Sequence, residues 1–140
     1  MGKAKTAKSK NKSNKPLEYQ LTVVRVGFGG NSGNGKYFYT YSHDPIHLVG
    51  MKKGLKMHFS LSSDTPADFK ICQGVGTGFA WDQIIDPQVS KDGRSVKFTN
   101  KNDKHCSFNI GIIVHDPINS EFIVCDPEVV NVPDPQPAAY

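Results

Sequence analysis

Gly30, Gly35 and Lys36 stand at the spacing of a phosphate-binding loop, inside the stretch GGNSGNGKY at 29–37. That loop works when a buried strand feeds a turn whose N–H groups point at phosphate oxygens and a helix begins directly afterwards. The residue after the lysine must also offer magnesium a Ser or Thr hydroxyl. Here that residue is Tyr37, whose hydroxyl lies a ring away from the backbone. Residues 37–41, Tyr-Phe-Tyr-Thr-Tyr, are aromatic and β-branched, which suits a pleated sheet and not the first turns of a helix. The stretch therefore predicts a long, flexible hairpin connection in which Gly and Asn accept positive φ. No nucleotide cofactor is expected.

Other residues with chemical potential lack the surroundings their chemistry needs. His43 and His47 flank Asp44 as His-Asp-x-x-His, a metal-binding spacing on a helix, but Pro45 argues against that helix. His105, Cys106 and His115 are further ligand types, yet no Met follows Cys106 or Cys125 to complete a copper site of the cupredoxin kind. Ser, His and Asp all occur without a nucleophile elbow, and the thirteen acidic residues show no spacing that singles out a catalytic pair. The expectation is a protein without catalysis, metal or cofactor.

Binding chemistry has better candidates. Alternation puts Tyr37, Tyr39 and Tyr41 on one face of a strand, three of the chain's five tyrosines. Exposed, that strip stacks sugars or bases, and the preceding loop adds Asn31, Asn34 and Lys36 as hydrogen-bonding flanks. Half-buried, it is rim packing. Trp81 is the only Trp and is expected to pack in the core. A second candidate is the run Lys3, Lys5, Lys8, Lys10, Lys12 and Lys15, which carries no acidic residue among it. It suits phosphates in a salt-dependent, sequence-independent way. The net charge of +4 conceals this division, because residues 17–140 hold 11 basic and 13 acidic residues. The body is mildly acidic and the arm basic.

The elements that must position these residues are strands. Leu55, Met57, Phe59 and Leu61 alternate with polar residues, Val96 and Phe98 do likewise, and Cys106, Phe108, Ile110, Ile112 and Val114 share one face of a longer run. Further strands are expected at 19–28, 36–41, 46–49, 69–72, 79–81, 121–125 and 128–132, with tight hairpin turns at 91–94 and 100–103. The fold class is all-β: an immunoglobulin-like antiparallel β-sandwich of about seven to nine strands. Residues 1–16 form a disordered Lys-rich arm, 17–133 the sandwich domain and 134–140 a Pro-rich tail. The three cysteines, Cys72, Cys106 and Cys125, form no disulfide framework and are expected to be buried as small hydrophobes. With no apolar run long enough to span a bilayer, the expected location is cytoplasmic.

Five of the nine prolines follow Asp, at 44–45, 86–87, 116–117, 126–127 and 134–135, where chance placement of ten Asp and nine Pro gives less than one. Proline withdraws an N–H and holds its predecessor extended, and Asp caps the turn that follows, so Asp-Pro is a strand terminator. These dipeptides, the late stretch FIVCDPEVVNVP and the small all-β body resemble the bacterial family called DP-EP, named for Asp-Pro and Glu-Pro dipeptides; this chain has the first and lacks the second. The resemblance spans residues ~18–133 and implies an immunoglobulin-like sandwich without established activity or a transferable site. The function expected from the sequence is a non-catalytic binding or interaction module. Its partner is an unidentified protein, or a second copy through an exposed edge strand. The alternatives are nucleic-acid association through the lysine arm and carbohydrate binding through the Tyr and Trp surface.

Overall fold

Residues 15–78 and 80–133 are described in a computed structural model of the chain. Ten strands form: β1 Leu17–Arg25, β2 Tyr37–Tyr41, β3 Ile46–Met51, β4 Leu55–Leu61, β5 Lys70–Thr77, β6 Ile84–Val89, β7 Ser95–Asn100, β8 Cys106–Asp116, β9 Glu121–Cys125 and β10 Glu128–Pro133. They make two packed sheets. The first runs β2-β1-β4-β7-β6 and the second β3-β10-β8-β5, with β9 also paired to β8. β9 and β10 share one side of the long strand β8: β9 takes residues 112–116 and β10 takes 106–109.

Alternation explains the core. Along β8, Phe108, Ile110, Ile112 and Val114 face inward, the register expected from the sequence. They meet Leu21, Val23, Met57, Phe59 and Val96 from the first sheet. Tyr19, Phe59 and Phe98 stack in a row across β1, β4 and β7, with centroids 5.0 and 5.5 Å apart. Each buried aromatic of this kind removes a large apolar area from water, worth about 1.5–3 kcal/mol. Arg94 fixes the connection from β4 to β5. Its guanidinium donates to the carbonyls of Ser62, Thr65, Pro66 and Phe69.

The all-β sandwich is as the periodicity predicts; several details differ. Among the described residues there are ten strands, and the sheets are mixed, because β1 pairs parallel with β4 and β10 parallel with β3. The strand expected at 79–81 is not seen at its described residues, Ala80 and Trp81. Residues Trp81–Gln83 are a short 3-10 turn, Phe79 lies outside the described residues, and Trp81 is 64% exposed instead of in the core. The tight turn expected at 100–103 is the passage from β7 in one sheet to β8 in the other. β6 was hidden by Asp86-Pro87, which does not end a strand here. It sits inside β6 as a bulge, with Asp86 at φ 55° and the register shifting between Ile85 and Gln88. Proline is tolerated there because β6 is an edge strand. Of the cysteines only Cys125 is fully buried, its thiol pushed up to about 12 by desolvation; Cys72 is exposed and Cys106 half-buried.

Candidate functional site

The Gly-rich segment is a hairpin connection, joining β1 to β2 with Arg25 opposite Tyr37. Its donors are spent internally: Val26 N–H to Lys36 O, Gly30 N–H to Gly35 O, Gly35 N–H to Ser32 O, and Lys36 N–H to Gly33 O, at 2.8–3.2 Å. A Cβ at Gly30 would lie 2.0 Å from the Tyr37 carbonyl oxygen, so only glycine lets the loop fold this tightly. The loop folds back along the outer edge of β2. Ser32 exchanges backbone bonds with Tyr37. The Asn31 side chain accepts from Tyr39 N–H at 2.8 Å and donates to Tyr39 O at 2.9 Å. Asn31 thus stands where the next strand would be. Asn34 takes a left-handed turn conformation at φ 57°, and Lys36 reaches out to Glu121 at 3.5 Å.

The tyrosine strip faces inward, which corrects the ligand-stacking expectation. Tyr37 is 1% exposed and Tyr41 8%, and neither ring is available to a sugar or base. All three hydroxyls cross to the other sheet. Tyr37 donates to the Asp116 carboxylate at 2.5 Å, Tyr39 to Asp126 at 2.8 Å and Tyr41 to the Cys125 carbonyl at 2.6 Å. Desolvation, then the neighbouring Asp126, pushes the Tyr39 hydroxyl up to about 12; burial likewise raises Tyr37 and Tyr41. Phe38, not tyrosine, is the exposed ring of this strand.

The Asp-Pro dipeptides supply two of those acceptors. Asp116 is fully buried at the end of β8, held by Arg25 at 2.7 and 3.1 Å, by Tyr37, and by Asn119 Nδ2 at 2.9 Å. It also accepts the N–H groups of Ile118 and Asn119, the turn cap expected of an Asp before proline. The Arg25 hydrogen bond, with smaller contributions from Tyr37 and Asn119, holds this carboxyl well below the usual carboxylate range. Arg25 also bonds Asp68 and lies over the Phe69 ring at 4.5 Å. Asp44, before a cis proline, accepts the N–H of Glu128 at 3.1 Å. Asp134-Pro135 lies outside the described residues.

A second buried polar group joins the sheets at the other end. Asn100 and Asn131 exchange two amide bonds at 2.8 and 2.9 Å, Asn131 donates to Gln83 at 3.1 Å, and Gln83 donates to Asp103 at 2.8 Å. From the sequence Asn100 and Asp103 were expected in a tight turn and Asn131 in a strand. Nothing in their spacing announces that they meet.

The remaining candidates are dispersed. His43 and His47 are exposed on either side of Asp44-Pro45, and among the described residues no group of three or more His, Cys, Asp or Glu is placed to hold a metal. Lys3, Lys5, Lys8, Lys10 and Lys12 lie outside the described residues; Lys15 is exposed just before β1. Among the described residues no helix is long and apolar enough to cross a membrane.

What the sandwich leaves open is one corner. Five strand edges border the two sheets, and four are covered. Asn31 and Ser32 cover β2. The Ser32 hydroxyl caps β9 at the Val124 carbonyl, 3.0 Å away. β5 is closed by Gly93 O on Ile71 N–H, and by Trp81, whose carbonyl would lie 2.4 Å from a Cβ at Gly76. The Asp86-Pro87 bulge breaks the edge of β6. Among the described residues, none covers the outer side of β3 at His47 and Val49 in this way. Ile110 N–H bonds Pro127 O, which fixes the odd-numbered residues of β10 toward β8 and the even-numbered ones toward β3. In the parallel pairing, Ile46 and Leu48 therefore bond β10, and His47 and Val49 direct N–H and C=O outward. Beside them, β1 runs past the end of β2, and Leu17, Glu18 and Tyr19 form the far wall of a cleft of about 270 Å³ with His43, Pro45 and His47.

No family model matches the chain, and no curated protein is similar to it.

Proposed function

We propose that the chain is a non-catalytic interaction module that captures an extended segment of a partner by main-chain pairing along β3. The carrying observation is the unequal treatment of the strand edges: four are covered or broken by particular residues, whereas among the described residues none bonds the outward N–H and C=O groups of His47 and Val49. An edge of this kind is a template for an added strand. The strand Ile46–Met51 contains no Lys, Arg, Asp or Glu, and the adjacent cleft offers room for a side chain of the incoming segment. The absence of a reaction in this reading is supported by the commitments of Asp116, Tyr37 and Arg25, whose polar atoms hold the two sheets together. The three free cysteines suit a reducing, cytoplasmic setting, and the Asp-Pro dipeptides support kinship with the DP-EP family.

Panning a peptide-display library on the full chain tests the reading. Enriched peptides should be extended, alternating sequences whose binding drops at least tenfold in Val49→Pro, which removes one outward N–H and leaves the bonds to β10 in place. Peptides that bind Val49→Pro as well as the parent chain would contradict it.

A further inference from the structure

The cleft beside β3 holds a hydroxyl that the fold leaves unsatisfied. Tyr37, Tyr39 and Tyr41 each donate to a named acceptor. Tyr19 is 8% exposed and stacked on Phe59, and its hydroxyl has no hydrogen-bond partner among the described residues. It is not sealed in, because among those residues the one buried side-chain polar atom cut off from both solvent and partners is Asn102 Oδ1. The Tyr19 hydroxyl therefore reaches solvent, and the opening its ring lines is this cleft. Desolvation pushes the hydroxyl up to about 12, so at neutral pH it keeps a proton to donate. His43 adds a second donor. Its ring stands edge-on to Tyr19 at 5.7 Å. Ser42 Oγ accepts Gln20 N–H at 3.0 Å and turns its own proton to His43 Nδ1 at 3.3 Å, which leaves the proton of the neutral ring on Nε2. The acids beside the cleft already have partners: Glu18 bonds His58 at 2.7 Å, and Asp44 takes the N–H of Glu128.

We propose that this cleft takes the carboxylate of an Asp or Glu side chain from the extended segment that pairs on β3; this rests on the interaction-module reading above. Donors without acceptors call for an acceptor, and a carboxylate brings two oxygens and makes the stronger, charge-assisted bonds. A side chain suits the position better than a chain terminus. β1 and β3 belong to different sheets, and packed sheets stand about 10 Å apart. The main chain of an added strand stays in the plane of its sheet, whereas every second side chain leaves that plane toward β1. Leu17, Pro45 and Ile46 give the methylenes of such a side chain an apolar wall. Tyr19 O–H and His43 Nε2–H are the donors left for its head group.

Sodium propionate, which matches the end of a Glu side chain, is the direct probe, with propionamide at matched ionic strength as its neutral counterpart. Each is titrated into the full chain over about 1–100 mM, the range in which so small a molecule binds, and followed by NMR at Tyr19, His43 and His47. Propionate should give a saturable shift and propionamide none. Tyr19→Phe keeps the ring on Phe59 and removes only the hydroxyl. It should fold as the parent does, by circular dichroism, and bind propionate at least about fivefold more weakly. Equal responses to the two probes, no saturable response, or unchanged propionate affinity in Tyr19→Phe overturns the proposal. Peptides panned on the parent chain should in turn share an acidic residue whose amide replacement weakens binding at least about tenfold. Val49-dependent peptides without such a residue overturn the cleft assignment and leave strand capture standing. A Tyr19-dependent propionate response beside peptides that bind Val49→Pro unchanged supports the carboxylate preference of the cleft and contradicts strand capture alone.

Discussion

Asp116 shows what the Asp-Pro dipeptides do residue by residue. In sequence it is the third of five copies and looks like a strand terminator. In the fold it ends β8, caps its turn, and ties Arg25 and Tyr37 of the other sheet to that point. Its carboxyl is held low chiefly by Arg25. A folded-state pKa below the unfolded value of about 3.9 contributes stability that is fully present above that value and is lost as pH falls toward the folded pKa. Asp116→Asn should therefore cost about 3 kcal/mol at pH 7, at the low end for a broken buried pair because Arg25 is one-third exposed. Its stability should also decline less steeply than the parent's between about pH 5 and pH 2. Some acid sensitivity should remain, since Ser90 lowers Asp92 and Gln83 lowers Asp103. Denaturant titrations at stepped pH would read this, and parallel curves for the two proteins would refute it.

At the scale of elements, hydrophobic alternation carried most of the information. β4, β7 and β8 were legible because their inward and outward residues differ in kind; β9 was legible as a short β-branched and aromatic run, with Phe122 and Val124 outward and Ile123 and Cys125 inward. β6 was not, since Ile-Ile-Asp-Pro-Gln-Val has no alternation and holds a proline that only a bulged edge accepts. For β2 the alternation grouped the three tyrosines correctly but was silent on which face was covered. That depends on Asp116, Cys125 and Asp126, some 80 residues along the chain. Asn31 was named as a ligand flank and is instead the cover of an edge. Asn31→Ala should remove two bonds to Tyr39 at a cost of roughly 1–2 kcal/mol. The Tyr39 amide should exchange with solvent faster in consequence, by an amount that amide exchange measures directly. Unchanged protection of Tyr39 would show that Asn31 is not what covers β2.

The whole molecule is a sandwich sealed along one flank and half-sealed along the other. β5 meets β6 on the sealed side, by way of Gly76 and Trp81. Across the way, β2 and β9 are stitched by the tyrosine hydroxyls and Ser32, but β2 stops at Tyr41, and among the described residues no strand pairs the outer side of β3 at His47 and Val49. The sequence reading expected association through an exposed edge without naming the strand, because edge order follows from two parallel pairings, β1 with β4 and β3 with β10, that no local pattern encodes. Hydrogen exchange resolved by residue on dilute, monomeric protein tests this picture most directly. The amides of His47 and Val49 should exchange faster than those of Ile46 and Leu48 by roughly two orders of magnitude, since only the latter pair bonds β10. Equal protection along all four amides of β3 would mean that its outer edge is covered, and the account of this protein as a strand-capturing module would fail.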